Sequence, residues 1–273
     1  MNIYSSVDME GITGLVDRQF VTPGERFYER GQQLMTDEVN HVAEAAFAFG
    51  CKRFVVNDSH GKMNNLLVER LLAEIELVSG EVKPYSMVQG LDDSFDGAFF
   101  IGYHSRASMP GVMSHTMIFG VRSMWLDGHE IGEMGLNAYL AGYYGVPVLL
   151  VAGDDQAAKE AEALIPNVTT AIVKTAQSRS SALCLTPAKS KALLQAKTKE
   201  ALMKSGKVEP LIANKQPVLH IEFANYGQAE WAALMPGAEL ETGTTVKFAA
   251  KDVKEAYQAM LVMTELAMQT TFC

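Results

Sequence analysis

Cysteine is scarce in this 273-residue chain. There are three, Cys51, Cys184 and Cys273, and no C-x-x-C pair. The odd number and wide spacing indicate neither a disulfide framework nor a zinc finger, and a reducing compartment fits best. Positive charge is also in short supply. Against 32 Asp and Glu stand 23 Lys and Arg, the formal charge is −9, and no run of four or more basic residues relieves it. Such a surface repels phosphate backbones, so no nucleic-acid partner is expected. The opening MNIYSSVDME has no basic leader and does not read as a secretory signal. The Asn167-Val168-Thr169 sequon is therefore expected to be idle, and the expected location is the cytoplasm. Long apolar runs are few. Met134 to Gly153 carries no charge, but Gly135, Asn137, Gly142, Gly145 and Pro147 break it into a helix, a turn and a buried strand. No membrane span is expected. Missing too are G-x-G-x-x-G after a strand, G-x-x-x-x-G-K-[ST] and G-x-S-x-G, which argues against a dinucleotide enzyme, a P-loop enzyme and an α/β-hydrolase.

What is present is an ordinary globular composition, 48% apolar and 20% charged. A chain this long buries about 75% of its unfolded surface without staples. Strand-like runs at 2–9, 52–58, 75–79, 98–103 and 146–153 alternate with helical patterns at 26–49, 64–72, 133–144 and 156–164. The 124–131 run, with Asp127-Gly128 between apolar flanks, reads as a hairpin. This order predicts an α/β fold with a mostly parallel sheet flanked by helices. The last third differs: a Lys/Ala/Leu helix over 187–203, strands over 217–223 and 244–250, a Trp-bearing helix near 226–234 and a final amphipathic helix. A smaller C-terminal α/β subdomain over 176–273 is expected to follow a catalytic unit over 1–175, with a soft boundary between 166 and 186.

Chemistry concentrates at the expected strand ends. Asp8 and Glu10 form Asp-x-Glu at the end of the first strand, where a period of two sends both side chains to one face. His60 closes the second strand and His104 a later one, and in open α/β sheets the pocket lies beyond the carboxyl ends of the strands. Each residue alone reads as well as a solvated acid or a hydrogen-bonded loop histidine. Together they suit a divalent ion, because two close acids repel unless a cation separates them and neutral imidazoles complete a shell. Glu133 opens a helix after Gly132 and is either favoured there by the helix dipole or is a further ligand. His115, among small and apolar neighbours, is either a core histidine or an acid/base group. Asp154 and Asp155 either cap the next helix or hold a substrate ammonium. His129 is assigned to the surface hairpin, and His41 and His220 read as structural.

The strings SVDMEG (6–11), NDSHGKMNNL (57–66), GYHSRAS (102–108), PGVMSHTMIFGVR (110–122), GEMGLNAYLAGYYGVPVLLVAGDD (132–155) and EFANYGQAEW (222–231) resemble the zinc-dependent D-aminopeptidases over essentially the whole chain. The resemblance implies a dinuclear zinc peptidase, with two Zn²⁺ per subunit, that removes N-terminal D-amino acids, D-Ala especially, from short peptides. It implies Asp8 as the carboxylate bridging both metals, Glu10 and Glu133 completing one zinc, and His60 and His104 completing the other. His115 matches the histidine usually labelled the nucleophile. It also implies a homo-oligomer, a decameric ring enclosing the active sites.

Two Zn²⁺, three carboxylates and a bridging hydroxide sum to zero charge, which suits a buried site. Such a hydroxide is the expected nucleophile. His115 is then expected to stabilise the oxyanion or to carry the proton to the leaving amine. The alternatives are a dinuclear metal hydrolase of another bond, a phosphoester or a cyclic amide, and a non-catalytic metal-stabilised peptide-binding scaffold.

Overall fold

The computed structural model describes residues 1–270. Cys273 lies outside them. In chain order the elements are β1 (Asn2–Val7), α1 (Arg18–Val21), α2 (Tyr28–Phe49), β2 (Arg53–Asp58), β3 (Ile75–Val78), β4 (Gly97–Tyr103), β5 (Val121–Leu126), β6 (His129–Ile131), α3 (Glu133–Tyr143), β7 (Val148–Asp154), α4 (Asp155–Leu164), β8 (Thr169–Ser178), β9 (Ser181–Cys184), α5 (Pro187–Met203), β10 (Val218–Phe223), α6 (Tyr226–Ala232), β11 (Ala238–Leu240), β12 (Thr245–Ala249) and α7 (Val253–Ala267).

The main sheet has seven strands in the order β3-β2-β1-β4-β7-β8-β9, parallel except for the β8–β9 hairpin at one edge. Its central strands β4 (GAFFIGY) and β7 (VLLVAGD) are buried along their whole length, as parallel strands covered on both faces must be. Helices flank the sheet: α2 packs on α5, and α4 and α5 both pack on β7 and β8. A second, antiparallel sheet runs β11-β12-β10-β5-β6. The predicted α/β class with a mostly parallel, helix-flanked sheet therefore holds.

Several elements differ from the sequence reading. The helix expected over 64–72 is a loop with a single 3₁₀ turn at Val68–Arg70. The amides of Asn65 and Leu66 donate to the Asp58 carboxylate instead of propagating a helix. The stretch read as a soft boundary contains β8 and β9, so residues 175 and 176 lie inside one strand. The second sheet also takes β5 and β6 from the expected first unit and pairs them with β10 from the second. The Asp127-Gly128 hairpin is present, with both residues at positive φ (53° and 80°).

Candidate metal centre

Asp8 and Glu10 do not reach one face by strand alternation, because β1 ends at Val7. They sit on the turn beyond it. The turn is pinned by Gly11 N–H donating to Gly102 O at 2.7 Å and by Asp8 N–H donating to Ile101 O at 2.8 Å. Only glycine permits this approach, since a Cβ on Gly11 would lie 2.1 Å from Tyr103 O, and one on Gly102 (φ +70°) 2.1 Å from Asp8 O. The same two glycines thus bring the end of β1 against the end of β4, where His104 follows Tyr103. His60 lies two residues beyond β2 and Glu133 is the first residue of α3. All five predicted ligands converge beyond the carboxyl ends of the strands.

The shortest distances sort the donors into two groups that share Asp8, with His104 also within 4.8 Å of Glu10. His60 Nδ1 lies 3.2 Å from Asp8 Oδ1 and 3.0 Å from Glu10 Oε2. His104 Nε2 lies 3.4 Å from Asp8 Oδ2 and 2.6 Å from Glu133 Oε1. This differs from the division implied by the resemblance, which put both glutamates on one ion and both histidines on the other. Here each group holds one glutamate and one histidine. The physical reason is the sheet order: His60 and His104 follow β2 and β4, on opposite sides of β1, so they reach opposite oxygens of Asp8.

Every imidazole at the site is oriented by a backbone carbonyl. His60 Nε2–H donates to Val21 O at 2.7 Å, His104 Nδ1–H to Ser105 O at 2.9 Å, and His115 Nδ1–H to Met113 O at 2.9 Å. The other nitrogen of His60 and of His104 is left facing the carboxylates, the tautomer selection that metal-binding histidines show. Glu10 Oε2 and His104 Nε2 are buried without any hydrogen-bond partner. His104 Nε2 lies 2.6 Å from Glu133 Oε1 without meeting hydrogen-bond geometry. A divalent ion fits this donor set. It satisfies the orphaned atoms and separates three buried acids.

Electrostatics without metal are those of a crowded, desolvated cluster. Burial, then the charge of Glu10, pushes Asp8 up to about 7 against the pull of His60. Burial also works to raise Glu10 and Glu133, but His60 holds Glu10 well below its usual range and His104 holds Glu133 below its own. Burial opposes charge on His60 and His104, yet the neighbouring carboxylates, led by Glu10 and Glu133 respectively, hold both well above the usual imidazole value. His115 goes the other way: burial and then the His104 charge lower it.

His115 stacks on His104 with ring centroids 4.2 Å apart, and one of its nitrogens lies within 4.8 Å of donor atoms of His104 and Glu133. Met113 and Met117, at φ 51° and 59°, bracket its loop. Met117 N–H donates to Glu133 Oε2 at 2.7 Å, so this loop also steadies a ligand. A cavity of about 1080 Å³ opens over the cluster, walled in part by Val16, Met63, Ile118 and Phe119.

Other expectations resolve simply. Asp154 caps α4, accepting from Gln156 N and Ala157 N, and also holds Val112 N–H at 2.6 Å. Asp155 accepts from Ala176 N. Both serve the fold. His129 lies exposed on β6, and His220 pairs with Glu241 at 3.5 Å.

The residues that sequence reasoning missed are the supports. Lys174, buried in the middle of β8, donates to the carbonyls of Glu10 (2.5 Å), Ile12 (2.9 Å) and Leu15 (2.6 Å), clamping the ligand turn from across the sheet. Lys83 does the same for the His60 segment through Asn57 Oδ1 and Asp58 O. Beneath the site, Ser6, Ser59, Tyr103, Asn137 and Tyr257 form one buried hydrogen-bonded chain. No local signal marks a lysine that will find its carbonyls more than 150 residues away.

The family profile described as D-aminopeptidase, Peptidase_M55, matches residues 1–262. The chain is 65% identical over 274 residues to the D-aminopeptidase of Bacillus subtilis strain 168, covering the whole of both. It is similar in structure to the Zn-dependent D-aminopeptidase DppA from Bacillus subtilis, described as a self-compartmentalizing protease. The TM-score is 0.99 and the identity 64%, over the whole of both chains.

Proposed function

The chain belongs to the D-aminopeptidase family, and from that premise we propose that it is a dinuclear zinc aminopeptidase removing N-terminal D-amino acids, D-Ala preferred, from short peptides. The observation that carries this reading is the division of Asp8, one oxygen toward the His60–Glu10 group and the other toward the His104–Glu133 group. Asp8 is assigned as the bridge, Glu10 and His60 as holding one ion, and Glu133 and His104 as holding the other. When bound, such a pair supplies Lewis acidity and lowers the pKa of a water toward neutrality, so that attack on an amide becomes feasible.

The protein's own groups do the rest. Three buried carboxylates offset most of the charge of two divalent ions, and the carbonyl-fixed imidazoles hold their lone pairs in place before binding. His115 is assigned the proton transfer. Its Nδ1–H is held by Met113 O, its Nε2 is the basic nitrogen, and burial disfavours its charged form. It takes a proton from the attacking water and delivers it to the leaving amine. An imidazole that already has this role is a poor nucleophile toward an unactivated amide, and trapping an acyl-imidazole on His115 would overturn the assignment.

The reading extends to a closed homo-oligomer, a decameric ring in the cytoplasm. Its supports are the self-compartmentalizing relative, the exposed Phe119 at the cavity mouth and the scattered free cysteines. No helix among the described residues is long and apolar enough to cross a membrane.

The deciding assay incubates the zinc-loaded protein with D-Ala-D-Ala, L-Ala-L-Ala and a phosphoester panel. Release of D-Ala from the first alone is the expected result. Phosphoester turnover, or bound peptide without cleavage, would contradict it.

A further inference from the structure

The cavity over the carboxylate cluster is lined by four Lys or Arg side chains: Arg18, Lys62, Lys83 and Arg179. Three of them are committed. Arg18 is paired with Glu25 at 2.6 Å and Lys62 with Glu81 at 2.6 Å. Lys83 is buried and spends its ammonium on Asn57 Oδ1, Asp58 O and Val78 O. Arg179 is different. Among the described residues its guanidinium has no acidic partner; Nε and Nη2 donate to one neutral acceptor, Ser114 O, at 3.3 and 3.1 Å. Of the five N–H groups on a guanidinium, those on Nη1 remain free.

The position of this cation is set by the fold. It occupies the tight β8–β9 connection, and its own carbonyl accepts from Met113 N at 2.8 Å, which ties the hairpin to the loop that carries His115. Its Cζ lies 5.6 Å from the centre of the Phe119 ring, which in turn lies 5.1 Å from the His115 ring. The second, smaller cavity, of about 320 Å³, is also lined by both Arg179 and His115. A positive charge is thus held at the wall of the cavity, one loop away from the residue assigned to the leaving amine.

The chemistry on the leaving side of a short peptide is known from the substrate alone. One or two Cα steps of about 3.8 Å past the scissile bond stands a free carboxylate. A planar guanidinium with unused donors recognises a carboxylate with paired hydrogen bonds. Resting on the aminopeptidase reading above, we propose that Arg179 anchors the C-terminal carboxylate of the substrate, which makes free di- and tripeptides the preferred class over C-terminally blocked or long ones. Arg179 is a specificity residue and touches the end of the substrate remote from the amine that must be free for an aminopeptidase.

The test compares D-Ala-D-Ala with D-Ala-D-Ala amide in the wild-type protein, Arg179→Gln and Arg179→Lys, all zinc-loaded. The wild type is expected to favour the free acid in kcat/KM by about tenfold or more, the size of one charge-assisted contact. In Arg179→Gln that preference collapses toward one, mostly through KM for the free acid, and Arg179→Lys restores part of it. Titration calorimetry with the uncleavable reduced-bond analogue, as free acid and as amide, should show the same loss of discrimination in binding. Equal losses for acid and amide in Arg179→Gln would overturn the proposal, because the guanidinium would then act only by supporting Ser114 and His115. A wild type that cleaves both equally well would overturn it too. A wild type that cleaves neither would instead count against the aminopeptidase reading itself.

Discussion

Asp8 presents its two oxygens to two separate histidines, and that division decides what single substitutions should do. Asp8→Ala removes the one donor common to both groups, so both zinc ions should be lost. Zinc counted by elemental analysis after desalting should fall from two per chain toward none, and retention of two would refute the bridge. His115 makes the opposite prediction. Its assigned work is proton transfer, so His115→Ala should keep both zinc ions while kcat falls by about 10²–10⁴-fold, the range of general acid–base contributions. Loss of a zinc ion in that variant would make His115 a ligand, a role for which it stands close enough to His104 and Glu133.

The elements that matter most are the turn after β1 and the end of β4, held together by two glycines. Gly102→Ala places a Cβ against Asp8 O at a left-handed φ of +70°. It should therefore separate Asp8 from His104 and weaken zinc binding by at least tenfold in a competition titration with a chelator. Unchanged affinity would mean that the contact does not set the site. At this scale the sequence was legible where pattern and chemistry coincide. Buried runs such as AFFIGY and VLLVAG announce central strands, and the ligand-type residues after β1, β2 and β4 announce four of the five proposed donors, Glu133 opening a helix instead. The elements that escaped have physical reasons. β8 reads TTAIVKTAQS, with a lysine in its middle and polar residues at its exposed end, so no clean period marks it as a strand. That lysine is buried only because Glu10, Ile12 and Leu15 offer it carbonyls from the far side of the sheet. The 64–72 segment carries helix-forming residues, but Asp58 captures its first amides. The pairing of donors was not legible either. It follows from β1 lying between β2 and β4, which is a property of the sheet and of no single motif.

For the molecule as a whole, the site couples metal to stability and pH. Without zinc, Asp8 is raised to about 7, and His60 and His104 stand above their usual value of 6.5. A group whose folded pKa exceeds its unfolded one contributes stability that is complete below the unfolded pKa and vanishes as pH rises through the folded one. For Asp8 that window runs from 3.8 to about 7, and for the two histidines it opens at 6.5. Glu10 and Glu133, lowered from 4.5, contribute stability that is fully present above 4.5 and is lost only as pH falls below it. The metal-free protein should therefore lose stability as pH climbs past neutrality. Zinc takes the place of those protons, so the increase in melting temperature on zinc loading should widen as pH rises from about 6 through and above 7. A zinc increment that stays constant or shrinks over that interval would contradict this coupling.

The central claim is that five side chains from three strand ends and one helix hold a pair of cations. Diffraction from crystals of the zinc-loaded protein, collected on both sides of the zinc edge, tests it directly. Two anomalous peaks about 3.5–4 Å apart, with Asp8 between them, Glu10 and His60 on one and Glu133 and His104 on the other, are the predicted result. A single peak, or zinc elsewhere with these five side chains empty, would contradict it.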